Sequence, residues 1–154
     1  MATVTALIQA TAVTAAIAIS LFQPKRQERR TAFRNLIAYR NIAYFAVRML
    51  PDIEGCDFAN ESSTVVTRLT LERCVKRVQD IPVMDVVPPH LSEQFVNIDI
   101  TASRSLLHMQ QDDCDKHLEV YKLSAIQADR ALKVIDAYLV ENDAKLEPNG
   151  TFTL

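Results

Sequence analysis

The chain has 154 residues with 17 Lys and Arg against 19 Asp and Glu, two glycines and three cysteines. That length suits one domain, glycine so far below its usual ~7% excludes folds built on phosphate-cradling loops, and a net charge of −2 leaves no surplus for a polyanion. Three cysteines without a CxxC pair suit reduced thiols rather than a disulfide framework.

Residues 2–22 form an uncharged run of 21, just long enough for a helix to cross a hydrocarbon layer, which takes roughly 20 residues at about 1.5 Å each. Eight positions are strongly apolar and the remainder is mostly Ala and Thr, so the predicted span is a marginal one. Ala16-Ile17-Ala18 has the form of a signal-peptidase site, but signal peptides carry their positive charge ahead of the apolar core, whereas here it follows. Small residues at Ala2, Ala6, Ala10, Thr14 and Ala18 would let two such helices approach closely, although a row of this kind arises easily in so small-residue-rich a segment.

Lys25, Arg26, Arg29, Arg30 and Arg34 follow directly. Residues 23–50 hold seven basic side chains against one acidic, net +6, while residues 51–154 hold ten against 18, net −8. The positive-inside bias then places the body in the cytoplasm and the short N-terminus outside, with the basic residues facing anionic lipid headgroups. The acidic body argues against nucleic acid, and no zinc-finger spacing or RNP-like aromatic run is present.

Residues 23–50 read as a basic juxtamembrane amphipathic helix, with Phe33, Leu36, Ile37, Ala43, Tyr44, Val47 and Leu50 on one face and Arg34, Asn41 and Arg48 opposite, closed by Pro51. A second helix is predicted over about 61–80, capped near Asn60 to Ser63, with Leu71, Cys74, Val75, Val78 and Ile81 facing the core. Pro82 ends it.

Residues 90–146 contain neither glycine nor proline. An apolar stripe through Leu91, Phe95, Ile98, Ala102 and Met109 changes phase before Cys114, which is solved either by a hairpin turning at 110–113 or by one continuous helix with a stutter. Beyond it Cys114, Leu118, Tyr121, Ala125, Ala128, Leu132, Ile135, Leu139, Asn142 and Leu146 occupy successive a and d positions of a heptad, the seam of a helix packed lengthwise within the chain or on a partner copy. Leu118, Tyr121, Leu132, Ile135 and Leu139 are its expected packing residues. Residues 147–154 read as a flexible tail.

The one cluster of site-like residues is HMQQDDCDKH. On a continuous helix His108 with Asp112, and Asp113 with His117, are i,i+4 pairs that could each give a metal two ligands, yet the pairs fall on different faces and a closed site needs more ligands than Glu72, Glu93 or Asp99 readily supply. Cys56 beside Gly55 is the most accessible nucleophile, with His90 or His108 as a base, but no flanking signature supports it. No catalytic residue, cofactor site or family motif is identified.

The expectation is therefore an all-α chain: a single transmembrane helix over 1–22, the basic helix over 23–50, and a helical bundle or coiled-coil-like cytoplasmic body over 51–146. Its expected role is that of a single-pass membrane interaction or scaffold protein. A small pore-forming, holin-like protein and a membrane-tethered metal-dependent or cysteine hydrolase are the alternatives.

Overall fold

The computed structural model describes residues 2–83, 87–111 and 114–154, and their side chains apart from those of residues 1–22, 54, 114 and 115. The described residues form α1 (Ala2–Glu54), α2 (Glu61–Gln79), α3 (Pro89–Met109), a 3-10 turn (Cys114–His117), α4 (Leu118–Glu141) and two short strands, β1 (Lys145–Leu146) and β2 (Phe152–Thr153). The chain is an all-helical protein with little strand. It divides into two compact units, Met1–Arg34 and Asn35–Leu154.

The first unit is helical, and Lys25, Arg26, Arg29, Arg30 and Arg34 are all exposed. Among the described residues no helix is long and apolar enough to cross a membrane. The side chains of 1–22, on which the expected anchor rests, lie outside the described residues.

The second unit is a helical bundle. Leu36, Ile37, Ala43, Ala46, Val47, Leu50 and Ile53 of α1 share one face of the helix and are buried. Pro51 does not close this helix as expected. It stands in the last turn, where its ring forfeits one hydrogen bond, and Ile53 beyond it is fully buried, so packing outweighs the local loss.

Asn60 caps α2, its side chain accepting from the Ser63 N–H at 3.3 Å. Leu71, Val75 and Val78 are the buried face, and Cys74 is half-buried beside them. α3 begins with Pro89 in its first turn and buries Leu91, Phe95, Ile98, Ala102 and Met109, together with Thr101 and Ser105. Those two hydroxyls cause no unmet demand, because they donate to the carbonyls of Asn97 and Thr101, one turn earlier.

Residues 90–146 are not one helix. The Gln110 N–H is shared between the carbonyls of Leu106 and Leu107, both at 3.2 Å, and Gln111 bonds back to His108, which tightens and ends α3. α3 and α4 form an antiparallel hairpin: His90 meets Tyr138 at one end, with ring centroids 5.1 Å apart, and His108 meets His117 at the other, 4.2 Å apart. Stacking of Phe58 on the buried Tyr121, at 6.2 Å, seats the α1–α2 connection against α4.

Tyr121, Ala128, Leu132, Ile135 and Leu139 of the expected seam are buried. Leu118 is 39% exposed and Leu146 is 54% exposed. The heptad was projected past the ends of the helix it describes: Leu118 opens α4, and Leu146 lies beyond it in β1. Ser124 and Ala131, off the a and d positions, are buried instead, which widens the seam to the broader stripe of a globular helix.

α4 closes on a Schellman turn. Asn142 is the C-cap, the Asp143 N–H bonds to Val140, and the Ala144 N–H bonds to Leu139, with Ala144 and Leu139 both buried. Asp143 occupies the left-handed position, φ 67°, that such turns usually give to glycine. Asp143→Gly should raise the unfolding free energy by about 0.5–1 kcal/mol, read from urea denaturation. A loss of stability would mean that the Asp143 side chain makes a contribution larger than that strain.

Residues 147–154 are not a free tail. β1 and β2 pair antiparallel, Lys145 opposite Thr153 and Leu146 opposite Phe152, and Phe152 is 2% exposed. The connecting turn is held by Glu147 N–H to Thr151 O at 2.8 Å and by Asn149, whose side chain accepts from both the N–H and the hydroxyl of Thr151. Two-residue strands are too short to hold themselves, so the segment depends on what it docks against.

Candidate functional site

That docking partner is α1. Arg40 stands four residues after Leu36 and three before Ala43, in the middle of the apolar stripe, and is 2% exposed. A buried guanidinium requires matched acceptors. Asp136 of α4 supplies two, with Nε to Oδ1 at 2.6 Å and the second terminal nitrogen to Oδ2 at 2.8 Å, the bidentate fork that suits a carboxylate. The remaining nitrogen donates to the Gly150 carbonyl. Arg40 also lies 4.8 Å from the Tyr44 ring centroid and 4.7 Å from that of Phe152, so the same cation meets two aromatic rings.

One residue on, Asn41 treats the C-terminal segment as a neighbouring strand would. Its amide nitrogen donates to the Phe152 carbonyl at 3.0 Å and its oxygen accepts from the Phe152 N–H at 2.9 Å. Asn41 therefore does not belong to a solvent face. Gly150 adopts φ 82°, and a Cβ there would run into the Tyr44 hydroxyl, so glycine is required both for the turn and for the close approach.

Of the sequence candidates, His108 is half-buried at the end of α3 with Nδ1 3.3 Å from Gln111 Oε1, and His117 precedes α4. The structure brings the two imidazoles together, but the continuous helix on which each was paired with an aspartate is two helices. Asp112 and Asp113 lie outside the described residues. Among the described residues no group of three His, Cys, Asp or Glu side chains could hold a metal ion.

Cys56 Sγ lies 3.7 Å from the hydroxyls of both Ser63 and Thr67, while His90 is engaged with Tyr138 and His108 with His117. Among the described residues the hydrogen-bond partners of the Cys56 thiol are these two hydroxyls, not an imidazole. Burial pushes the Cys74 thiol above its ordinary value, opposed in part by the nearby Arg77 charge, which makes it a poorer nucleophile at neutral pH.

A surface cavity of about 410 Å³ separates α1 from α4, walled by Tyr44, Val47, Pro51, Ile126 and Leu132. Its two charged residues already have partners: Arg48 donates to the Tyr44 hydroxyl of the same wall and Asp129 pairs with Lys133 at 2.7 Å. Nothing in it converges as a catalytic set would.

The Arg40 cluster was missed by sequence reasoning, though one signal was present. An arginine in the centre of an apolar helical stripe is a charge that must be buried with a partner, and the C-terminal glycine is one of only two in the chain. Comparison with known proteins finds no family model, no curated sequence and no solved structure that matches this chain.

Proposed function

We propose that the protein is a single-pass membrane interaction module: residues 2–22 anchor it, Lys25, Arg26, Arg29, Arg30 and Arg34 contact anionic lipid, and the helical body presents a docking surface on the cytoplasmic side. The reading is carried by the order of features along the chain. An uncharged 21-residue run is followed at once by five basic side chains, all exposed, and then by a bundle that satisfies its own buried charge.

Topology mapping with the full chain tests the reading. A reporter at Leu154 should register cytoplasm, and neutralising Arg26, Arg29 and Arg30 together should give mixed orientation. Recovery of the chain entirely outside the membrane fraction, or a reporter active only on the far side, would overturn it. For a chain beginning at Gln23, without the anchor, binding to anionic vesicles that weakens at high salt is the expected sign of headgroup contact, and equal binding to neutral vesicles would remove that contact from the reading.

A further inference from the structure

The contacts that hold residues 150–153 are those of a peptide-binding site. Arg40 binds a backbone carbonyl of the segment, Asn41 binds the N–H and C=O of one residue, and the Arg40 guanidinium lies over the ring of that same residue. Extended-peptide recognition uses this combination, with main-chain hydrogen bonds for affinity and one aromatic side chain for specificity. Part of the site is held by contacts that do not involve the occupant: Arg40 makes two bonds to Asp136 and lies over the Tyr44 ring. The occupant is joined to the bundle through residues 142–144, and its own strands are two residues long.

We propose that Arg40, Asn41 and Tyr44 form a receptor for an extended Gly-x-Phe segment, and that the segment is exchangeable, so that the C-terminus of a second copy can fill it. The second copy is the occupant because each chain carries both halves of the match, receptor and ligand, and exchange of an identical element is a low-cost route to association. In one chain the tether holds the segment at an effective concentration of the order of mM, which favours the closed form, and crowding of copies favours exchange. The proposal rests on residues 35–154 and fails or stands separately from the membrane reading.

Complementation tests it in full-length chains. Phe152→Ala leaves a receptor with a defective ligand, and Asn41→Ala leaves an intact ligand with a defective receptor. Mixed one to one, they should form a heterodimer beyond anything either forms alone, read by native mass spectrometry. A labelled peptide of residues 145–154 should bind the Phe152→Ala chain at least ten-fold more tightly than the parent, and adding Asn41→Ala should abolish that gain.

Gly150→Ala, which drives a Cβ into Tyr44, provides a second ligand-defective chain and should behave as Phe152→Ala does. No mixed dimer, or peptide binding unaffected by Asn41→Ala, overturns the proposal. So does loss of the helical circular-dichroism signal in both the Phe152→Ala and Gly150→Ala chains, since the segment would then be part of the body rather than its ligand.

Discussion

Arg40→Ala should lower the stability of the bundle by about 3 kcal/mol or more, the range for removing one partner of a buried pair. The substitution strands the Asp136 carboxylate, whose side chain is only 27% exposed, removes the donor to the Gly150 carbonyl and unseats the Phe152 ring. Arg40→Lys should recover only a minor part, because an ammonium cannot reproduce the two-nitrogen fork on Asp136 while also reaching Gly150. Replacing the pair together, Arg40→Met with Asp136→Leu, should be less damaging than Arg40→Ala alone, since no charge is then left buried. Urea denaturation of the four chains decides the matter. If Arg40→Ala melts like the parent, the cluster is decoration on a bundle that does not need it.

The second large effect lies in α4. Leu139 is fully buried and Leu132 nearly so, and truncating either to Ala should cost about 2–5 kcal/mol through lost burial and the cavity left behind. Lys133→Ala should cost less than about 0.5 kcal/mol, because its ion pair with Asp129 is exposed on both sides. Asp136 cannot serve as a second surface control, despite being off the heptad seam, because it holds Arg40. A melting temperature independent of protein concentration should accompany these changes, as expected of a seam packed within one chain. Parent-like melting of both Leu variants would remove α4 from the core.

What the sequence made legible was periodic. The stripe of α3 is buried at all five expected positions, and the middle of the α4 seam is buried as well, because a run of apolar residues at steps of three and four has one face to hide and few ways to hide it. The break between these helices contains no glycine or proline to mark it. Its end is made instead by shared backbone hydrogen bonds at Gln110, which any residue but proline can form. Of the C-terminal hairpin the Asn149-Gly150 turn is legible and its docking is not, for a different reason. Its stability lies in a side chain 110 residues upstream, and no local pattern in EPNGTFTL announces that Phe152 has an arginine to lie on. Charge reasoning misled in the same place, by counting Arg40 with the basic surface when Asp136 neutralises it inside.

The wide sequence separation of the Arg40 contacts also sets an order of events during synthesis. Arg40 leaves the ribosome long before its acceptors exist: Asp136 lies 96 residues later and Gly150 lies 110. At about 5–20 residues per second that gap lasts roughly 5–20 s, during which the apolar face of α1 carries an unneutralised cation and has reason to stay open. The turn around Gly150 is thus the piece that completes the pairing of Arg40, and a nascent protein halted before it would hold every core residue of α3 and α4 and still lack its clasp.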